Sequence, residues 1–193
     1  MQKTVVLFHS ALGLNEAVRA FAESLRMNGH TVHVPDLFDG DVFTNLEDGV
    51  HKRDEVGIPL LSQRAAESVQ DMPKGTVYAG FSMGAASAQY LAGSIPGAGG
   101  AVLMHAALPN ELIGIQQWPG VPVQIHFSVD DPWVQRDHVA ALSSSIEQAG
   151  ANCEVFEYPG SAHLFADASS PDYDEASAKA MLTRVLTFLS RLQ

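Results

Sequence analysis

Residues 76–92 read TVYAGFSMGAASAQYLA. A β-branched and aromatic run enters the turn Gly80-Phe81-Ser82-Met83-Gly84, and the small residues Ala85, Ala86, Ser87 and Ala88 leave it. Strand, sharp turn, helix is the setting that a G-x-S-x-G pentapeptide needs. The serine takes a strained backbone conformation, and glycine two places to either side lets strand and helix cross closely. The hydroxyl then stands exposed at the carboxyl edge of the sheet, above the positive end of the following helix. From Gly75 to Asn110 the chain has no Asp, Glu, Lys or Arg. Six glycines and Pro96 interrupt that stretch, so it holds no membrane span of about 20 apolar residues. It reads as strand–helix–strand at the centre of a buried sheet.

Working outward, short β-rich runs alternate with helical patterns. Residues 3–8 (KTVVLF) read as a buried strand. Residues 15–28 read as a helix that Asn15 caps and Gly29 stops. Its apolar residues Ala17, Val18, Phe21, Ala22 and Leu25 share a face. Residues 31–34 read as a strand, 35–57 as a long polar and acidic loop, and 58–69 as a helix with Pro59 in its first turn. Strands 101–104, 123–127 and 152–158 follow. A helix ending near Gly150 carries Val139, Leu142 and Ile146 on one side, and a last helix spans 174–192. There is no repeat and no linker. The alternation predicts a single α/β domain over residues 1–193, with a doubly wound, mostly parallel sheet of about six strands and helices on both faces. Such sheets bind ligands beyond the carboxyl ends of their strands, here after Phe8, Val34, Ala79, Met104, Phe127 and Tyr158.

A serine hydroxyl needs a base within hydrogen-bond reach and an acid to orient that base. After the strand 123–127 stands SVDDPW (128–133), and after the last strand PGSAHLF (159–165). His163 is the candidate base. Asp130 and Asp131 compete for the orienting role, and Asp131 is preferred because the turn after it starts the next helix. Two N–H donors are needed for a tetrahedral oxyanion: Met83, which follows the serine, and Ala11, in the loop after the first strand. Candidate walls of a substrate pocket are Phe38, Phe43, Leu46, His105, Trp133 and Phe165. His9 and His105 end strands and are placed to line a site; His126 lies within a strand, and His51 and His138 read as surface residues. His30 and His33 would point to opposite faces of a strand and cannot share a metal. No metal site is expected.

The order of motifs resembles the dienelactone hydrolase family of α/β-hydrolases. The matching stretches are VVLFHSALGLN (5–15), VPDLFDG (34–40), GFSMGA (80–85), HFSVDDPW (126–133) and YPGSAHLFAD (158–167). The resemblance implies a minimal α/β-hydrolase fold without a large lid domain and a hydrolase acting on small carboxylic esters or lactones. The family pattern D-x-[FW]-[VI] falls on Asp131 and implies that it is the catalytic acid. Three positions depart from the dienelactone enzymes. Ser82 stands where they have a cysteine nucleophile, Ser10 where they have a regulating glutamate, and Asp167 where they have a substrate-binding arginine. The chain thus resembles a serine-nucleophile member that forms an acyl-enzyme and needs no cofactor.

A thioesterase or peptidase would use the same triad, and a non-catalytic hydrolase-fold binding protein is the alternative from another class. A nucleotide-binding protein would need a glycine-rich loop opening the first helix, where only Gly13 stands. The single cysteine, Cys153, excludes an internal disulfide and reads as a packing residue on a strand. No signal-peptide pattern opens the chain, so the expected location is cytoplasmic. Eleven Lys and Arg oppose 22 Asp and Glu, a net charge of −11 that disfavours nucleic acid and anionic membrane surfaces as partners. Residues 36–55 hold seven acids against Lys52 and Arg53, and residues 159–178 hold four against none. Both segments begin at strand ends, which predicts either two solvated loops or a negative pocket mouth.

Overall fold

Strands covered on both faces read as near-continuous apolar runs, as TVVLF, VYAGF and GAVLM do here. The computed structural model describes residues 1–192, so Gln193, the end of the expected domain, lies outside the described residues. The strands are β1 (Thr4–Phe8), β2 (Thr31–His33), β3 (Val77–Phe81), β4 (Gly100–Met104), β5 (Val123–Ser128) and β6 (Cys153–Tyr158). Every pairing between them is parallel, in the order β2-β1-β3-β4-β5-β6. The sheet is therefore wholly rather than mostly parallel.

The helices are α1 (Glu16–Met27), α2 (Leu46–Val56), α3 (Ile58–Glu67), α4 (Met83–Ser94), α5 (Arg136–Gln148) and α6 (Glu175–Arg191). Alternating strand residues face opposite layers. Val5 and Leu7 pack with Val18, Phe21 and Leu25 of α1 and with Met181, Val185 and Phe188 of α6. Val6 and Phe8 pack with Leu61 of α3, Ala88 of α4 and Leu142 of α5. The strand order reverses beside β1, so the carboxyl ends of β1 and β3 open a crevice where such folds bind ligands.

Residues 35–57 are not all loop: α2 lies within them. Asn45 caps it, its Oδ1 accepting from the Asp48 N–H at 2.9 Å, with Glu47 and Asp48 in the first turn and Arg53 in the last. Those caps and dipole charges hold a helix with almost no apolar stripe, and hydrophobic period is the signal a sequence reading leans on. Gly49 of α2 is buried against the Ala11 carbonyl, which a Cβ would strike.

Candidate active site

Ser82 sits between β3 and α4 with φ 50° and ψ −110°, a conformation that costs energy outside glycine. The sheet enforces it: the Ser82 N–H donates to the Met104 carbonyl at 2.7 Å. The turn is possible because its glycines have no side chain. A Cβ on Gly84 would stand 2.5 Å from the carbonyl oxygens of Phe8 and His9, and one on Gly80 would strike the Gly84 carbonyl.

The Ser82 side chain does not cap α4. Its Oγ lies 2.8 Å from His163 Nε2, and His163 Nδ1 lies 2.8 Å from Asp131 Oδ2. With Nδ1–H donated to a carboxylate, Nε2 is left as acceptor for the serine hydroxyl. Asp131 is buried and Asp130 is exposed. The other oxygen of Asp131 accepts from the Trp133 N–H at 2.9 Å, so the turn itself aims the carboxylate.

The loop carrying His163 is tied down from behind. The His163 N–H donates to Asp172 Oδ2 at 3.1 Å. Asp167, buried, accepts from Asn15 Nδ2 at 2.8 Å and from the Ser169 N–H at 2.8 Å. Asn15 in turn caps α1, its Oδ1 accepting from the Val18 N–H. Asp167 is thus a brace between two loops.

Met83 opens α4, so its N–H has no acceptor within that helix, and it lines the cavity with Ser82. Ala11 is buried in the turn after β1. In that turn Leu12 N–H donates to Ser10 Oγ and Gly13 N–H to the Ser10 carbonyl, both at 3.1 Å.

A cavity of about 530 Å³ opens beside Ser82 and His163. His105 and Trp133 line it; Phe38, Phe43, Leu46 and Phe165 do not. Phe38 and Phe165 are fully buried in the two core layers, on opposite faces of the sheet. Phe43 packs against the core beside Phe38, and Leu46 opens α2. His9 does not line it either. Its Nδ1 lies 2.7 Å from the Ser10 carbonyl, and its Nε2 accepts from the Leu37 N–H at 2.9 Å, so it joins two loops.

The cavity walls that sequence reasoning missed follow a helical rule. Ile58, Leu61, Ser62 and Ala65 of α3 and Met83, Ala86, Ser87 and Tyr90 of α4 both line it. Each set has the spacing i, i+3, i+4, i+7, which is one helix face. On α4 this is a second stripe, distinct from the buried one of Ala85, Ala88 and Ala92. The charged wall residue besides His163 is Arg53. Asp39 and Asp41 pair with Arg64 and Lys52 instead. Arg53 is in turn paired with Asp54 at 2.7 Å, and among the described residues no carboxylate of the two acidic segments lines the cavity, which favours the solvated-loop alternative.

His105 also takes a positive φ, 66°, and is fully buried. Neither of its ring nitrogens has a hydrogen-bond partner among the described residues. Its ring packs on Phe165 at 4.5 Å and near His163 at 6.1 Å. Burial, reinforced by His163 and His126, lowers its pKa well below the ordinary 6.5. Cys153, half-buried at the start of β6, has its thiol pKa raised by burial. Among the described residues, no cluster of His, Cys, Asp and Glu could hold a metal ion, and no helix is long and apolar enough to cross a membrane.

The model of the dienelactone hydrolase family matches residues 1–193. The chain belongs to that family. Membership in the dienelactone hydrolase family makes it an ester-cleaving hydrolase in coarse terms. No curated protein sequence matches it. Solved structures share its α/β-hydrolase fold. One is a dienelactone hydrolase-like promiscuous phosphotriesterase from metagenomic libraries, 23% identical, with a TM-score of 0.81 over 98% of this chain and 86% of that one. A second is a thermophilic esterase from Thermogutta terrifontis with bound propionate, 18% identical, with a TM-score of 0.60 over 98% and 83%. A third, a candidate α/β-superfamily hydrolase from Xanthomonas campestris pv. campestris, is 18% identical, with a TM-score of 0.58 over 96% and 99%.

Proposed function

We propose that this dienelactone hydrolase family member cleaves small carboxylic esters or lactones through an acyl-enzyme on Ser82. The observation that carries the reading is the unbroken line from Ser82 Oγ through the His163 ring to Asp131, with both hydrogen bonds at 2.8 Å, at the wall of a cavity. His163 Nε2 takes the hydroxyl proton as Oγ attacks the carbonyl carbon. The tetrahedral oxyanion receives the N–H groups of Met83 and Ala11. Ala11 is the loop donor because Leu12 and Gly13 beside it already donate to Ser10. The protonated His163 returns its proton to the leaving oxygen, and the ester C–O bond breaks. Water then attacks the acyl-enzyme with His163 as base, which frees the acid and restores Ser82. Asp131 holds the imidazole in the right tautomer and stabilises the imidazolium. No step calls on a cofactor.

A related esterase from Thermogutta terrifontis has been captured phosphorylated by paraoxon, so a phosphorus electrophile is a suitable probe. A fluorophosphonate is expected to add to Ser82, located by peptide mass. The adduct should vanish in Ser82→Ala and form at least ~10³-fold more slowly in His163→Ala. Folded wild-type protein that stays unlabelled would overturn the reading and favour a hydrolase-fold binder.

A further inference from the structure

The cavity beside Ser82 is much larger than a small acid needs. Its volume of about 530 Å³ is in the range that encloses a drug-sized ligand, and its walls are mostly apolar. Ile58, Tyr90, Leu112 and Trp133 are large hydrophobic side chains left 37–64% exposed, and all four border this one opening. Hydrophobic residues scattered singly over a surface need no explanation, but a contiguous set around a cavity marks a binding surface.

The direction of the groove follows from the chemistry. The leaving oxygen must lie on the His163 side, because His163 returns the proton to it. Trp133, whose ring centroid is 5.6 Å from that of His163, borders this side. The α4 stripe leads away from Ser82, from Met83 past Ala86 to Tyr90. Seven residues of helix cover about 10 Å. An extended alkyl chain advances ~1.3 Å per methylene, given a C–C bond of ~1.5 Å and a tetrahedral angle. The groove from Ser82 to Tyr90 therefore accepts a chain of about eight carbons, after which the exposed Leu112 borders solvent.

We propose that the groove between α3 and α4 is an acyl-chain site, and that the preferred substrates are esters of medium-chain acids of about six to eight carbons. This rests on the serine-hydrolase reading and deepens it. The occupant is the acyl group rather than a protein partner, because Ser82 and His163 form part of the same wall.

The test is kcat/KM for p-nitrophenyl esters from acetyl to dodecanoyl, beside a series of alkyl acetates in which only the alcohol lengthens. The acyl series should rise up to about fourfold per methylene, the equivalent of ~0.8 kcal/mol of burial, and level off near octanoyl. The alcohol series should stay nearly flat. Ala86→Trp, midway along the groove, should move the optimum to butanoyl or shorter. Leu112→Glu at the open end should lower the octanoyl-to-butanoyl ratio. Fluorophosphonate labelling of Ser82 in each variant separates a blocked groove from a misfolded protein. A flat or falling acyl profile, or a steeper response to alcohol length, with Ser82 still labelled, overturns the acyl-site proposal and leaves the hydrolase reading standing. No turnover of any ester and no labelling overturns both.

Discussion

Ser82, Asp131 and His163 are far apart in the chain, and the proposed chemistry needs them in one line. Two adjacent carboxylates compete for the middle of that line, and they differ in one respect: Asp131 is buried against His163 while Asp130 faces water. The proposed mechanism therefore makes an asymmetric prediction. Asp131→Asn should lower kcat by roughly 10⁴-fold by favouring the wrong imidazole tautomer, whereas Asp130→Asn should leave kcat unchanged within scatter. Steady-state rates on a p-nitrophenyl ester check both, and equal losses would remove Asp131 from its proposed role. Sequence could rank these two carboxylates because Pro132 and Trp133 mark a turn after Asp131, although α5 itself begins only at Arg136. It had no means of separating Phe38 and Phe165 from Trp133 as pocket walls. All three are aromatic residues near strand ends, but two are fully buried core and one is exposed at the opening. His105 is a similar case: its place after β4 was readable, while its two unpartnered nitrogens depend on neighbours from β3 and from the loop after β6.

The turn between β3 and α4 places Ser82, and it tolerates no extra atom. Gly84→Ala puts a methyl group 2.5 Å from two β1-end carbonyls, so strand and helix must separate. The expected cost is about 3 kcal/mol or more, a fall in Tm of roughly 6–12 °C for a chain this long. Thermal unfolding followed by circular dichroism measures it. A Tm within about 2 °C of wild type would show that α4 can retreat at little cost. The strand and helix periods made most elements legible, with boundaries off by a residue or two. The exception was α2, whose helical signal lies in its caps and charges, Asn45, Glu47, Asp48 and Arg53, rather than in an apolar stripe.

The acidity of the chain also changes meaning once folded. In the segment from 159 to 178, Asp167 braces Asn15, Asp172 holds the His163 N–H, and Asp174 caps α6. These carboxylates set the loop that carries His163; they do not charge the cavity. The buried histidines give the pH dependence. His9, His105 and His126 all have pKa values lowered by burial, His126 to about 3 with help from Arg184. Unfolding lets each take up a proton at its ordinary value near 6.5. Their contribution to stability is thus fully present above pH ~6.5 and is lost as pH falls toward the folded-state values, at up to about 1.4 kcal/mol per pH unit for each histidine. Urea unfolding at pH 7.5 and pH 5 should show the lower stability at pH 5. Equal stabilities would mean that these rings are not held neutral. The linear pattern of residues was enough for the α/β alternation, the serine turn and the order of chemical groups, because each depends on near neighbours in the chain. Which side chains wall the cavity, which charge faces it and where the acids are used depend on the packing of α2, α3 and α4 against the strand ends. Those contacts join residues distant in sequence, and no local period encodes them.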